Sequence, residues 1–300
     1  MKLAIVGHGA IGNLLAYRCQ LHKIEFEVLS RQTSRSVLIV SDPDKGLSRF
    51  TLSSKALAQG SEADLIVVPV KAYQVASVIH TIKPWVQPAQ TIMLLHNGMG
   101  TIDLVRHALP DNNLLAATTT YGAYKSSDNA LQIKGLGATQ CGWIYQQPSC
   151  NNKAIENAIS CLLPPVTFHS NIQLALWRKL AVNASINPLS AIHQVQNGAL
   201  KRPEYHIIIE QVCDEIMRLM QALGLPSNTQ DLLAEINTVI DKTADNYSSM
   251  NRDVAAKRPS EIHFINGYIV SQAQQYGIPC PTNLRLFNSI CDIEKAYLSL

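Results

Sequence analysis

Lys179, Asn183 and Asn187 recur at i, i+4 and i+8. On a helix that spacing lines three side chains along nearly one face, and their chemistry is that of an anion site: one ammonium and two amides. The surrounding segment is mostly apolar, with Leu174, Leu176, Leu180, Ala181, Val182 and Ile186. A solvated helix face favours Glu, Lys or Gln, because Asn is a poor helix former. The stripe therefore reads either as the wall of a pocket for a polar, anionic ligand or as a solvent-facing strip. Pro188 is expected to disturb the helix just past Asn187.

A second constellation stands at the start of the chain. Gly7-His8-Gly9-Ala10-Ile11-Gly12 is a G-x-G-x-x-G that follows an apolar strand and opens a helix. In that context the first glycine makes a tight turn and the second lets a pyrophosphate approach. The third lets helix pack on strand, and the helix N-terminus faces the phosphates. The alternative is a plain glycine turn. The next strand ends in Val28-Leu29-Ser30-Arg31, followed by Ser34 and Arg35. NAD-binding chains place Asp or Glu at this end for the ribose 2′-hydroxyl. Here Glu27 lies inside the strand, whereas Arg31 is placed to pair a 2′-phosphate. The expected cofactor is NADPH or NADP, unless Arg31 is an ordinary loop arginine.

These groups need a scaffold, and the pattern of apolar runs supplies one. Lys2–Val6, Glu25–Ser30, Ala63–Val68, Thr91–His96 and Leu114–Tyr121 read as strands, with helices over Ile11–Leu21, Tyr73–Ile82 and Thr101–Leu109 between them. Such alternation implies a parallel sheet covered on both faces. Ser36–Val40, Phe50–Leu52, Leu131–Ile133 and Gln140–Ile144 read as added strands, Lys153–Leu163 as a helix and Val166–His169 as a last strand. Beyond Ser170 the pattern is helical only: Asn171–Ser185, Pro203 or Glu204 to Leu223, Thr229–Ala244, Pro259–Tyr276 and Asn283–Leu298. The expected fold class is α/β, with a Rossmann-type dinucleotide-binding domain over residues 1–169 and an all-helical substrate domain over 170–300.

The composition excludes several classes. A formal net charge of +3 with no Lys/Arg-rich run argues against a nucleic-acid surface. No stretch reaches transmembrane length, and the apolar start is broken by Gly7-His8-Gly9 rather than leading to a cleavage site. Seven cysteines without a C-x-x-C spacing suit free thiols in a reducing cytoplasm. The nine histidines show no metal-ligand spacing, and no G-x-S-x-G elbow supports a hydrolase.

Several segments resemble the ketopantoate reductase (2-dehydropantoate 2-reductase) family. They are Lys71-Ala72, His96-Asn97-Gly98-Met99-Gly100, Thr118-Thr119-Thr120, Trp177–Asn183, Asn187-Pro188-Leu189, Asn197-Gly198, Ser248-Ser249-Met250, Glu261-Ile262 and Ile265-Asn266-Gly267. They run through nearly the whole chain in the family's order. The resemblance implies that Lys179 is the proton donor and Glu261 the active-site glutamate. It implies substrate contacts at Asn97, Asn183, Asn187, Asn197, Asn246 and Ser249, and cofactor contacts at Lys71, Asn97 and Ala123 besides the glycine loop. His263, where the family often has an acid, and Tyr121-Gly122 depart from its pattern without touching a proposed catalytic residue.

The bland readings of these residues stay open at this stage. Lys71 can be a surface lysine after a strand, Asn97-Gly98 a routine turn, and Ser249 a turn former. Glu261 can owe its place to the dipole of a first helical turn after Pro259. The resemblance implies hydride transfer from NADPH to the keto carbon of ketopantoate, in pantothenate and coenzyme A biosynthesis, by a monomer or homodimer. A free lysine titrates at about 10.4, so an effective acid needs burial, expected in an interdomain cleft. The alternatives are another NADP-dependent hydroxyacid dehydrogenase or a non-catalytic dinucleotide-sensing protein.

Overall fold

The computed structural model describes residues 1–126, 130–226 and 228–298. β1 (Lys2–Val6) leads through α1 (Ala10–Leu21) to β2 (Glu25–Ser30), and β3 (Ser34–Asp42) and β4 (Gly46–Ala56) form a hairpin. The alternation continues with β5 (Leu65–Val68), α2 (Val75–Ile82), β6 (Thr91–Leu95), α3 (Ile102–Ala108) and β7 (Asn113–Thr119). β8 (Gly122–Lys125), β9 (Ala130–Gly135), β10 (Thr139–Tyr145), α4 (Asn152–Leu162) and β11 (Val166–His169) complete this part.

Among the described residues, all eleven strands join one sheet, in the order β11-β10-β7-β6-β5-β1-β2-β4-β3-β9-β8. Its middle run, β4-β2-β1-β5-β6-β7, is parallel throughout. Side chains alternate across it. Leu3 and Ile5 pack into the cluster that holds Leu14 and Leu15 of α1 and Ile155 and Ile159 of α4. Ala4 and Val6 pack instead with Val75, Val78 and Ile79 of α2 and Val105 of α3. Covering both faces explains why β1, β5, β6 and β7 read as near-continuous apolar runs. β1 lies between β2 and β5, so the strand order reverses at its carboxyl end. That is where open α/β sheets bind ligands.

The expected single strand Leu114–Tyr121 stops at Thr119, and the chain resumes as β8 at the far edge of the sheet. β8 escapes a sequence reading because its half-exposed Gly-Ala-Tyr-Lys carries no apolar run.

The helices are α5 (Gln173–His193), α6 (Pro203–Ala222), α7 (Thr229–Lys242), α8 (Ser249–Ala255), α9 (Asn266–Gln275) and α10 (Pro281–Leu298). α5 is the centre of this unit and packs against α6, α7, α8 and α10. Three expectations need correction. First, α5 does not end near Ser185 or break at Pro188; it runs on to His193. Second, residues Pro259–Tyr276 are not one helix. A 3-10 turn over Ile262–Phe264 precedes α9, and Gly98 and Met99 are seated against that turn. Third, α8 was not expected; Ser248 caps it by accepting from Asn251 N at 3.1 Å, so Ser249 opens a helix rather than a turn.

The chain divides into two compact units, Met1–His96 with Thr101–Ile172 and Asn97–Gly100 with Gln173–Leu300. Against an expected division after residue 169, the change falls after Ile172, and a loop from the first half packs with the helices. Met99 N donates to Phe264 O at 2.8 Å. A Cβ on Gly98 would fall 2.6 Å from that same oxygen, and Gly98 has φ +81°. Only glycine allows so close an approach with that backbone. Among the described residues, no helix is long and apolar enough to cross a membrane.

Candidate active site

The glycine loop sits at the strand-order reversal. Gly7 turns with φ +85°, and its N–H donates to Leu29 O at 2.6 Å, tying the loop to the end of β2. A Cβ on Gly12 would stand 2.3 Å from Gly7 O, whereas one on Gly9 would meet nothing within 4 Å. The third glycine is thus a packing necessity and the second leaves open space. α1 begins at Ala10 with no side-chain cap at Gly9 and no acid in its first turn. Its N–H groups and positive dipole end fit a pyrophosphate.

Arg31 is exposed just past β2. Glu27 is occupied elsewhere: Lys55 lies 2.8 Å away and Lys2 3.4 Å, and Ser61 donates a short hydrogen bond to it. Burial pushes the Glu27 carboxyl up, but those bonds and charges outweigh it and hold the group below its ordinary value. Glu27 is therefore engaged elsewhere and is not free to oppose a 2′-phosphate beside Arg31. Lys71 begins the 3-10 turn Ala72–Gln74 after β5, and its neighbour Val70 would touch a Cβ on Gly7 at 3.2 Å. Ala123 lies on β8, two residues from Lys125, whose Nζ reaches His8 O at 3.2 Å. Lys125 was absent from the sequence reading because β8 was. Burial lowers its pKa.

The Lys-Asn stripe is no solvent strip. Asn183 and Asn187 are 8% and 6% exposed, on a helix buried on most sides. Lys179 is half-buried, and burial pushes its pKa down against a weaker upward pull from Glu235. Asn183 Nδ2 is buried with no partner. The neighbouring residues are knitted together. Ser248 Oγ lies 3.4 Å from Asn187 O, and Asn251 Nδ2 donates to Ser190 O at 2.6 Å. Asn197 N donates to Asn246 O at 2.9 Å, and Asn197 Nδ2 to Thr243 Oγ1 at 2.9 Å, while Asn197 Oδ1 is buried without a partner. Asn246 and Ser249 are exposed, and Ser248 is the buried member of that segment.

Glu261 is 4% exposed and starts the 3-10 turn that Gly98 and Met99 grip. A three-residue turn has no appreciable dipole, so the first-turn explanation of this acid fails. Asn97 and Glu261 thus belong to the same helical unit. Among the described residues no group of His, Cys, Asp and Glu could hold a metal ion.

The description "Ketopantoate reductase PanE/ApbA" matches residues 3–145, and its C-terminal counterpart matches residues 171–294. The chain belongs to the ketopantoate reductase family. A 2-dehydropantoate 2-reductase of Vibrio cholerae is 36% identical over 297 residues, covering 99% of both chains. The solved ketopantoate reductase of Ralstonia eutropha superposes with a TM-score of 0.87 at 24% identity, covering 99% of each chain. A D-mandelate dehydrogenase solved with NADH and anilino(oxo)acetate superposes with a TM-score of 0.90 at 21% identity, again over 99% of each. At such identities the two structures speak for the fold alone. Ketopantoate reductase membership fits the Rossmann-type sheet unit and the helical unit alike.

Proposed function

We propose that the chain reduces ketopantoate to pantoate with NADPH, a step of pantothenate biosynthesis. The observation that carries this reading is a lysine whose pKa is lowered by burial, on one helix face with two buried asparagines of which one amide nitrogen lacks a partner. A buried amide N–H without a partner is costly, and a substrate oxygen relieves that cost. Bound NADPH supplies the hydride.

The glycine loop and the α1 N-terminus hold the pyrophosphate, Arg31 takes the 2′-phosphate, and Lys125 and Lys71 add positive charge at the loop. In the helical unit, Asn183 and Asn197 orient the keto acid through the amide atoms left open in the fold. As the hydride reaches the keto carbon, the carbonyl π pair moves onto oxygen. Lys179 stabilises that charge and gives its proton to the oxygen, forming the hydroxyl; the neutral amine then recovers a proton from water. A depressed pKa suits this, because a proton is handed over more readily near the working pH. Glu261 is an acceptor only and faces either the substrate's terminal hydroxyl or Lys179.

Relatives named 2-dehydropantoate 2-reductase, at 36% and 34% identity over 99% of the chain, favour this over a non-catalytic dinucleotide sensor, as does the presence of Lys179 together with Glu261. Seven free thiols suit the cytoplasm, and we read the protein as a monomer or homodimer. The test is NADPH oxidation with ketopantoate beside other 2- and 3-keto acids. Ketopantoate should give the highest kcat/KM. A higher value for another acid overturns the assignment.

A further inference from the structure

α5 runs unbroken through a proline. Pro188 has no N–H, so the carbonyl one turn back, Ala184 O, loses its helical donor. Ala184 is fully buried, so bulk solvent does not reach that oxygen. The side chain of Asn266, at the start of α9, donates Nδ2 to Ala184 O at 3.2 Å. The same nitrogen donates to Asn283 Oδ1 at 3.0 Å, and Asn283 Nδ2 donates to Glu215 Oε2 at 2.8 Å. Glu215 also accepts from the backbone N–H of Thr282 at 2.7 Å and of Asn283 at 2.9 Å. Asn266 and Asn283 are 0% exposed and Glu215 3%.

The direction of this chain is fixed at its far end. An ionised carboxylate only accepts, so Asn283 must present its nitrogen to Glu215 and its oxygen to Asn266. Asn266 must then present its nitrogen, and the second N–H of that group is aimed at Ala184 O. Burial pushes Glu215 up, but the bonds from Asn283 and Thr282 outweigh it and keep the group below its ordinary range, hence ionised. The repaired peptide lies between the two buried asparagines of the stripe: Ala184 follows Asn183, and Pro188 follows Asn187.

We propose that Asn266, oriented by Asn283 and Glu215, replaces the amide hydrogen that Pro188 removes, and is the positioning residue that keeps Asn183 and Asn187 in line. None of the three touches the reacting atoms; they act through the path of α5. The role rests on the reading of the stripe as the substrate wall. A helix with an interior proline and no substitute donor kinks, and a kink here would turn Asn183 away from Asn187 and misplace the substrate.

The test compares Asn266→Ala, Pro188→Ala and the double variant in the full-length protein. Each is assayed for kcat/KM with the keto acid that the unaltered protein turns over best, and for NADPH affinity by cofactor fluorescence. Choosing the acid this way separates failure of the ketopantoate assignment, which the unaltered protein shows by itself, from failure of the positioning role. Asn266→Ala should lose about 10²-fold in kcat/KM, the scale of a small misplacement, with NADPH affinity retained because the glycine loop lies in the other unit. The double variant should recover most of that loss, since residue 188 again carries an N–H for Ala184 O. Pro188→Ala alone should stay near the unaltered value. A double variant no better than Asn266→Ala overturns the proposal. Where neither Asn266→Ala nor the double variant folds, Glu215→Gln decides. It keeps the shape but lets both amides flip, and should lower kcat/KM with NADPH affinity unchanged; full activity in that variant overturns the proposal.

Discussion

Gly12 stands so close to Gly7 that a Cβ on it would fall 2.3 Å from the Gly7 carbonyl oxygen. Because this oxygen belongs to backbone, no side-chain rotation can relieve the clash. Gly12→Ala should therefore push α1 off β1, at about 1–3 kcal/mol for overpacking, and displace the N–H groups that face the phosphates. Thermal melts with and without NADPH read both effects. The variant should melt lower, and the cofactor should raise its melting temperature by much less than in the unaltered protein. An undiminished NADPH shift would show that the loop does not hold the pyrophosphate.

On the proposed reading, Arg31 and Lys125 address different parts of the cofactor and give different signatures. Arg31→Ala should raise the KM for NADPH and leave that for NADH nearly unchanged, because only NADPH has the 2′-phosphate. Lys125 leans over the glycine loop, with Nζ 3.2 Å from His8 O, so its phosphate is one that both cofactors share. Lys125→Ala should weaken both by a similar factor, on the scale of about 1.5–3 kcal/mol for a hydrogen bond to a charged group. Equal use of both cofactors by the unaltered protein would remove the case for Arg31.

Lys179→Ala should lose about 10²–10⁴-fold in turnover, the usual range for general acid catalysis, with NADPH binding intact. The same residue predicts a stability effect of opposite sign. Its pKa in the fold lies below 10.5 because burial disfavours the ammonium. The unfolded chain therefore holds the proton more tightly over the window between the two values. The cost to the fold is full below the folded pKa and vanishes as pH rises past 10.5. Lys179→Met should melt higher than the unaltered protein near neutral pH, and the gain should shrink toward pH 10. A Met variant that melts lower at every pH would mean that the amine is held by favourable contacts instead.

Glu261 is tested by substrate discrimination. Ketopantoate carries a terminal hydroxyl that 2-keto-3-methylbutanoate lacks, and a buried carboxylate built to accept that hydroxyl rejects the deficient analogue strongly. The unaltered protein should give the analogue a poor kcat/KM, and Glu261→Ala should narrow the gap between the two acids. An equal fall for both would assign Glu261 to Lys179 or to the fold.

Much of this protein is written in local pattern. The glycine motif, the parallel strands and the Lys-x-x-x-Asn-x-x-x-Asn spacing follow from backbone geometry and side-chain period, which act within a few residues. β1 and β2 fall where their apolar runs place them, and Arg31 follows β2 as expected. What failed to show depends on partners far along the chain. The apolar pattern cannot tell that α5 survives Pro188, because its missing donor comes from Asn266, held in turn by Asn283 and Glu215. Nor can it tell that the stripe is buried, since burial of Asn183 and Asn187 is decided by α8 and the other helices packed on α5. Asn97–Gly100 follows a strand of the sheet unit in sequence, yet its hydrogen bond to Phe264 O places it with the helices. Lys125 became a cofactor candidate only through the strand that carries it past His8. The chain's own spacing fixed which residues could do the chemistry; long-range hydrogen bonds, which satisfy buried polar groups wherever a partner lies, decided how they are held.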